Sequence, residues 1–404
     1  MSLLCCLAWL ASCGRPIATG VVQLNVLMEP DGSGVWHQLV REFHDQNPDI
    51  TVNFIEGAAA TNAREDAYVT SFFSGETIYD LVHADVVWVP KFAAAGWLDD
   101  LTDRWPRERW AQFIPAAIEG GSYAGRICRV PTQLDVGMLY YRRDLVGETP
   151  PRTFDALVQL ARKHQRPDEL WGFVWQGKQY EGLACVFVEA LAGFGGTWID
   201  AKTGAVGLDQ PAAIAALDFL TRCVRETKIS PPGVTTYSEE ETRQIFGAGR
   251  AVFMRNWPYA FPLMQREGSP VRGKIGIAPM PANAGGKSGA ALGGWGLCVA
   301  KTSAHKEACW RFIEFISALP QARRIHGATG LQPALKEFYE RNSDPAQRAA
   351  YAVMQHAVAR PPLPQYAQAS DILQRYVSAA LSGQMSARDA LQRAAKETRL
   401  LLGK

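Results

Sequence analysis

Residues 21–55, VVQLNVLMEPDGSGVWHQLVREFHDQNPDITVNFI, decide the fold class. Residues 21–28 are rich in β-branched and apolar side chains, which predicts a strand. In residues 35–43 the apolar side chains recur at helical spacing, and Asn47-Pro48 should end that helix. Residues 50–55 alternate in the manner of a second strand. The order strand, helix, strand predicts a βαβ unit with a parallel sheet, and therefore an α/β protein.

Two acidic residues come directly after predicted strands. Glu29 follows the first strand, and Asp85 follows a short apolar segment, residues 81–84, that predicts another. In open parallel sheets, ligands bind in the crevice outside the carboxyl ends of the strands. We therefore expect both carboxylates to lie at a ligand-binding edge.

The rest of the chain continues with helices and short strands. Helices are predicted at residues 64–73, 87–95, 154–163, 180–191, 212–227 and 304–317, with Thr153 as an N-cap. A hairpin is predicted at residues 120–125, and short strands at 127–131 and 136–141. After residue 330 the pattern is mostly helical, with a proline-rich interruption at 360–364.

A glycine-rich bend, ALGGWGL at residues 291–297, places Trp295 among three glycines. Glycine permits positive φ angles and close approach of a ligand or second chain to the backbone. Two interpretations remain open for this bend. Either the indole offers a flat face to a ligand, or it fills the core.

Length and composition limit the class of protein. A chain of 404 residues exceeds one ordinary core, so two or three domains are expected. The net charge is only +2 and no basic run carries interleaved aromatics, so nucleic-acid binding is not expected. Twelve tryptophans exceed what a core needs, and several stand beside Gly or Pro. An aromatic-rich binding cleft would use that surplus.

The N-terminus resembles an export signal. Residues 3–10 are apolar but far shorter than the roughly 20 residues that span a bilayer. Residues 10–13, LASC, resemble a bacterial lipobox, in which Cys13 would be lipidated and residues 14–20 would form a tether. No Lys or Arg precedes the apolar stretch, and the alternative is a buried N-terminal helix.

Cysteine and histidine spacing predicts no metal site. If the signal is removed and Cys13 is acylated, five thiols remain, at Cys128, Cys185, Cys223, Cys298 and Cys309. None is spaced as CxxC, so we expect small buried apolar residues. The seven His show no HExxH or comparable spacing, which argues against zinc.

Catalytic motifs find no support either. Residues 285–288, GGKS, suggest a phosphate-binding loop, but Pro281 stands where its first glycine is required. No GxSxG elbow is present. A glycosidase could use two carboxylates as acid and base, and the candidates would be Glu29, Asp85, Asp135 and Glu181. The sequence does not separate such a pair from carboxylates that only bind hydroxyls.

Sugar recognition needs carboxylate and guanidinium edges together with aromatic faces. Those residue types stand at predicted chain breaks here. They are Arg64, Asp85, Asp135, Trp257 and Trp295. Each residue alone is more often structural, but their co-occurrence favours a carbohydrate site.

Seven segments resemble the extracellular solute-binding proteins of carbohydrate ABC importers, and within them the trehalose/maltose-binding lipoproteins. They are residues 43–52 (FHDQNPDITV), 85–101 (DVVWVPKFAAAGWLDDL), 125–145 (GRICRVPTQLDVGMLYYRRDL), 176–183 (QGKQYEGL), 246–259 (FGAGRAVFMRNWPY), 276–281 and 293–297 (GGWGL). Each segment is weak alone, and their order over the whole mature chain is specific.

The resemblance implies a type II-like periplasmic-binding-protein fold. Two α/β lobes, each a mostly parallel sheet flanked by helices, would be joined by hinge segments. The implied division is a signal and tether at residues 1–20, an N-terminal lobe of 21–133 plus 283–332, and a C-terminal lobe of 134–282 plus 333–404.

The resemblance also implies the ligand contacts. Acidic and guanidinium ligands would be Glu29, Arg64, Asp85, Asp135 and Arg360; Trp257 and Trp295 would stack on sugar rings; Gly293 and Gly294 would donate backbone amides. Glu181 and Trp175 are further candidates from the second lobe. The segment 132–134 departs from relatives that carry an aromatic residue there, which leaves the sugar open.

The implied function is capture of a disaccharide, trehalose, maltose or a related α-glucoside, by hinge closure and its delivery to a membrane permease. The protein would be a monomer on the periplasmic or extracellular face, anchored through Cys13, with no cofactor and no catalysis. The alternatives are a secreted glycoside hydrolase, and the same fold specific for sucrose, glucosylglycerol or a non-carbohydrate solute.

Overall fold

The computed structural model describes residues 20–58 and 61–404. Its first elements are strand β1 (Val22–Met28), helix α1 (Val35–Gln46) and strand β2 (Ile50–Glu56). β1 and β2 pair in parallel from Val22 opposite Ile50 to Met28 opposite Glu56. The predicted βαβ unit is confirmed. Cys13, the predicted site of lipidation, lies outside the described residues.

The further strands, in chain order, are β3 (Leu81–Asp85), β4 (Ser122–Tyr123), β5 (Arg126–Ile127), β6 (Val130–Pro131), β7 (Asp135–Val136), β8 (Met138–Arg142), β9 (Trp171–Val174), β10 (Ala251–Asn256), β11 (Ile275–Ala278), β12 (Ala290–Gly293), β13 (Trp295–Val299) and β14 (Ala357–Val358). β4 and β5 form the predicted hairpin.

The further helices are α2 (Thr61–Ser74), α3 (Val89–Ala94), α4 (Arg107–Trp110), α5 (Pro115–Glu119), α6 (Arg143–Val146), α7 (Phe154–His164), α8 (Glu181–Gly193), α9 (Pro211–Arg225), α10 (Glu239–Gly247), α11 (Ala260–Met264), α12 (Lys306–Ile316), α13 (Leu319–Thr329), α14 (Lys336–Glu340), α15 (Pro345–Met354), α16 (Tyr366–Leu381) and α17 (Ala387–Leu401). Short 3-10 turns occur at Thr102–Arg104 and Pro232–Thr236. The predicted N-cap is confirmed, because the Thr153 hydroxyl accepts from the Ala156 amide.

Two larger sheets form the framework. One has the order β2-β1-β3-β13-β6, and the other β11-β8-β10-β9. Both sheets are mixed, since β13 lies antiparallel to β3, and β8 lies antiparallel to β10 and β11. Both therefore contain more antiparallel pairs than the mostly parallel sheets that were predicted. The α/β class with two helix-flanked sheets is confirmed.

A small third sheet, β14-β12-β7, lies at the crossing between the two. Residues 130–142 form the consecutive strands β6, β7 and β8, and each of these belongs to a different one of the three sheets. β12 and β13 belong to two different sheets, the small one and the first large one, with only Gly294 between them. Gly294 has φ of 128°, and a Cβ there would come 2.6 Å from the Gln133 carbonyl oxygen, so glycine is required. The exact lobe boundaries remain a prediction.

The five thiols at Cys128, Cys185, Cys223, Cys298 and Cys309 are buried, as predicted, and none of them forms a disulfide. Burial raises the pKa of the Cys128 thiol to about 11. Within residues 20–58 and 61–404, no helix combines the length and the apolarity that crossing a bilayer requires.

Candidate ligand-binding cleft

A cavity of about 730 Å³ is lined by residues that follow strands of both large sheets. Glu29 follows β1, Asp85 ends β3, and Trp257 follows β10. The predicted site residues in its wall are Glu29, Asp85, Asp135, Trp257, Gly293, Gly294, Trp295 and Arg360, together with Glu181. Arg64 lies behind the wall, against Glu29.

Trp175 does not belong to this wall. Its side chain is completely buried, and its indole donates to the Ser230 hydroxyl at 3.0 Å. Trp175 follows β9, in which residues 172–174 are all buried, and it does not line the cavity, so its place in the predicted second-lobe contacts is not supported.

Trp295 forms part of the cavity wall and contacts an ion pair of which only Glu29 lines the cavity. The Arg64 guanidinium lies 4.7 Å from the centre of the indole ring. Arg64 donates to Glu29 at 3.2 Å and to the Ala58 carbonyl at 2.6 Å. Arg64 therefore holds both an acidic wall residue and an aromatic one, which explains why it is buried and does not reach the cavity itself.

His83 and Trp88 support the same indole from the protein interior. The His83 ring stacks on Trp295 with centroids 5.0 Å apart, and Trp88 meets it edge-on at 5.2 Å. Burial, with Arg64 and Arg129 nearby, lowers the pKa of His83 to about 3, so the imidazole is neutral. Trp295 is only partly buried, so it both packs on the core and faces the cavity.

Trp257 forms another part of the wall. Its indole donates to Glu239 Oε1 at 3.2 Å, and the Arg255 guanidinium lies 4.1 Å from the ring centre. The ring also lies close to Gly293, where a Cβ would come 3.4 Å from its six-membered edge. A methyl group at position 293 would therefore touch the indole at an ordinary van der Waals distance.

Asp135 carries an acceptor that the protein leaves unused. Its Oδ2 accepts from the Gln133 amide at 3.0 Å, while its Oδ1 is buried without a hydrogen-bond partner among the described residues. Burial raises the pKa of Asp135 to about 6; Gln133 opposes that rise, and the Glu29 and Asp85 carboxylates add to it. Because unpaired buried acceptors are costly, an additional hydrogen-bond donor that approached this oxygen would be stabilising.

Arg360 bridges the two sides of the cavity. Its guanidinium donates to Glu181 Oε1 at 2.6 Å and to the Leu292 carbonyl at 3.1 Å, and it lies 3.5 Å from Asp85 Oδ1. Glu181 is further bound by the Ser370 hydroxyl at 2.6 Å and by Tyr366. The structure thus gives Arg360 protein partners that include residues from the first and second halves of the chain.

Several wall residues were not predicted as site residues. Among them are the aromatic residue Trp36 and the polar residues Asp31, Lys178, Tyr180, Glu239 and Tyr259. Glu239 stands at the start of α10, next to the capping box that Ser238 and Glu241 form. A carboxylate there looks like ordinary helix capping in the sequence, and only the approach of Trp257 gives it another role.

The arrangement suits a neutral polyhydroxylated ligand. Carboxylates (Glu29, Asp31, Asp85, Asp135, Glu181 and Glu239) outnumber the wall cations Lys178 and Arg360. Carboxylates accept hydrogen bonds from hydroxyls, and indole rings offer apolar faces to sugar CH groups. Among the described residues, no group of three or more His, Cys, Asp and Glu side chains is arranged to hold a metal ion.

Comparison with known proteins gives a family match. A family model for bacterial extracellular solute-binding proteins matches residues 29–320. A probable ABC transporter-binding protein of Deinococcus radiodurans is 33% identical over 324 residues, which are 77% of this chain and 76% of that protein. The maltotriose-binding protein of Pyrococcus abyssi is 28% identical over 366 residues, 88% of this chain and 75% of that one.

Solved structures agree with this match. The structure described as maltose-bound T. maritima MalE3 is similar with a TM-score of 0.85 and 39% identity, over 94% of this chain and all of that one. A solute-binding protein from Thermotoga lettingae, bound with alpha-D-tagatose, has a TM-score of 0.84 at 25% identity and covers 95% of this chain and 100% of that one.

Proposed function

The chain belongs to the family of bacterial extracellular solute-binding proteins, and on that premise we propose that it captures an α-glucosidic disaccharide for an ABC importer. Maltose and trehalose are the first candidates. The observation that carries the proposal is the cavity of about 730 Å³, whose wall combines several carboxylates with indole rings, among them those of Trp257 and Trp295.

The proposed roles follow the contacts. Glu29 and Asp135 accept sugar hydroxyls, since Asp135 Oδ1 has no partner among the described residues and Glu29 is partly exposed. Trp257 and Trp295 cover the apolar faces of the sugar rings. Arg360 acts first as a bridge between Asp85 and Glu181, and through them it sets where these carboxylates point.

Hinge closure is the proposed mechanism. The wall combines residues that follow strands of both large sheets, and the segments through β7 and β12 connect those sheets. A sugar that contacts both sides stabilises the closed arrangement over the open one by its differential affinity. The closed form would then present the sugar to the membrane permease. Lipidation of Cys13 and a monomeric state complete the proposal.

Binding is tested with purified protein and a panel of maltose, maltotriose, trehalose, sucrose and glucosylglycerol. Isothermal titration calorimetry should give a saturable 1:1 isotherm, at micromolar or lower Kd, with maltose or trehalose. Trp257→Ala should weaken this binding by at least tenfold. The matched control is Trp97→Ala, because Trp97 is also partly buried and stacks on Phe72 at 4.9 Å, outside the cavity. It should leave Kd within about twofold.

The same samples test the alternative of hydrolysis. After prolonged incubation, chromatography should recover the disaccharide intact, because the proposal involves no bond cleavage. Release of glucose would favour a glycosidase. A protein that responds to none of the five glycosides would refute the proposed ligand class.

A further inference from the structure

A buried polar cluster stands directly behind Trp257. Arg255, Gln176 and Glu189 are completely or almost completely buried. Arg255 Nε donates to Glu189 Oε2 at 2.9 Å, its Nη2 donates to Glu189 Oε1, and its Nη1 donates to Gln176 Oε1 at 3.1 Å. The guanidinium is therefore held by the paired carboxylate and by an amide at the same time.

This cluster is in direct contact with the ring of Trp257. The central carbon of the Arg255 guanidinium lies 4.1 Å from the centre of the indole ring. The indole N–H is held by Glu239 at 3.2 Å, and the Trp257 amide donates to the Asn256 side chain at 2.8 Å. The Trp257 carbonyl in turn accepts from the Tyr140 hydroxyl at 2.8 Å.

The same ion pair also reaches the segments that cross between the sheets. Glu189 Oε1 accepts from the Ala291 amide of β12 at 3.2 Å. On the other crossing segment, a Cβ at Gly137 would overlap both Glu189 and Arg255, so the bare backbone of Gly137 makes room for the pair. The cluster thus links Trp257 to both crossing strands.

Stability alone does not account for such a pair. Removing charges from water is costly, and replacement of a buried ion pair by apolar residues of similar volume is often neutral or stabilising. A planar guanidinium held in a fixed plane offers something an apolar side chain does not, namely an oriented cation against an aromatic face.

We propose that Arg255 is a positioning residue for Trp257. Glu189 and Gln176 fix the plane of its guanidinium, the guanidinium fixes the tilt of the indole, and the tilt sets how well the ring covers a sugar. This inference rests on the proposed function for its binding readout only.

The test is a double-mutant cycle on affinity in the full chain, with maltose or trehalose as the probe. Arg255→Lys keeps the charge but loses the planar fork. It should raise Kd by about tenfold when Trp257 is present, and by less than about twofold in the Trp257→Ala background. An equal loss of affinity in both backgrounds would show that Arg255 affects binding independently of the Trp257 ring, and would overturn the proposal.

Arg399→Lys is the matched control. Arg399 pairs with Asp209 at 2.8 Å, partly exposed and outside the cavity, so this variant should change Kd in neither background. If Arg255→Lys does not fold, Glu189→Gln takes its place in the same cycle, since it keeps the side-chain shape and removes the charge and one of the two acceptors that hold Arg255.

A second readout needs no sugar. In protein labelled with 5-fluorotryptophan, the 19F resonance of Trp257 is identified by its loss in Trp257→Phe. Arg255→Lys should shift and broaden that resonance and leave the Trp295 resonance in place. Unchanged Trp257 lines would refute the positioning role. If the wild-type protein binds no sugar of the panel, the proposed function fails, and this comparison still decides the inference.

Discussion

Replacement of Asp135 by Asn should stabilise the ligand-free protein at neutral pH while weakening sugar binding. The raised pKa of Asp135, from 3.8 to about 6, means that folding disfavours its ionised form. That difference corresponds to about 3 kcal/mol at a pH above both values. Asn keeps an acceptor for Gln133, at a loss of about 1 kcal/mol for the weaker hydrogen bond. The net gain is about 2 kcal/mol.

The two pKa values also determine in which direction the stability of the wild-type protein changes with pH. The unfolded carboxyl ionises near pH 4 and the folded one near pH 6, so the wild-type protein loses stability as pH rises through this window. Below pH 4 both forms are neutral and the penalty vanishes. The advantage of Asp135→Asn should therefore be full above pH 7 and absent at pH 4.

Thermal unfolding of both proteins between pH 4 and pH 8 measures this difference. For a chain of about 400 residues whose lobes unfold together, 2 kcal/mol corresponds to roughly 2–3 °C in Tm. Comparison of the two proteins removes the contributions of other carboxylates. A variant that is less stable than wild type at pH 7.5, or an advantage that persists at pH 4, would refute the reasoning.

Although Asp135→Asn should stabilise the ligand-free protein, it should weaken sugar binding. A ligand hydroxyl donates to the charged carboxylate, so binding lowers the pKa of Asp135 and wild-type affinity should fall between pH 7.5 and pH 5. Asp135→Asn should bind about tenfold more weakly at pH 7.5 and show a flatter pH profile, measured by calorimetry. Equal profiles in the two proteins would place the titrating group elsewhere.

Three further predictions concern the same cavity. Trp295→Ala should raise the Kd for sugar by about 10- to 100-fold and lower Tm by only a few degrees, because the ring is partly buried against His83; loss of the folded circular dichroism spectrum would show a core role instead. Trehalose 6-phosphate should compete at least 100-fold less well than trehalose, since its charge meets a wall rich in carboxylates; competition within about twofold would contradict this. Arg360→Gln should destabilise the protein by about 3–5 kcal/mol in urea unfolding, because it leaves Glu181 without its buried cation; a change below 1 kcal/mol would show that the bridge is not needed.

Local patterns in the sequence were sufficient for part of this structure. The βαβ unit at residues 22–56 follows from periodicity and from Pro48 as a helix stop. The positions of Glu29 and Asp85 follow from the rule that ligands meet the carboxyl ends of parallel strands. Both needed only residues close in sequence.

Other features depend on contacts between distant residues. No local signal shows that β12 and β13 belong to different sheets, since β12 pairs with β7 and β14 while β13 pairs with β3 and β6. Glu189 lies inside an apolar helix, where the sequence gives no sign of a partner. Only the fold brings Arg255 to it across 66 positions.

The interpretations of Trp295 as a ligand platform and as a core residue both describe part of its surroundings. The neutral His83 ring and Trp88 give it a core side, and the cavity gives it a free edge. A sequence pattern assigns one environment to a residue, whereas an indole is large enough to have two. This is why the glycines at residues 293–296 did not decide between the interpretations.

Trp257 and Trp295, two of the tryptophans that line the cavity, have similar contacts, but those contacts are buried to different degrees. Each has a guanidinium against its ring and a carboxylate on that guanidinium. The pair behind Trp257 is sealed from solvent, with both side chains fully buried, whereas Glu29 beside Trp295 is 41% exposed and faces the cavity. If Glu29 accepts a ligand hydroxyl, as we propose, the ion pair that contacts Trp295 changes on binding, whereas Glu189 has no exposed surface for a ligand to reach. We therefore expect the surroundings of Trp295 to respond more to ligand than those of Trp257.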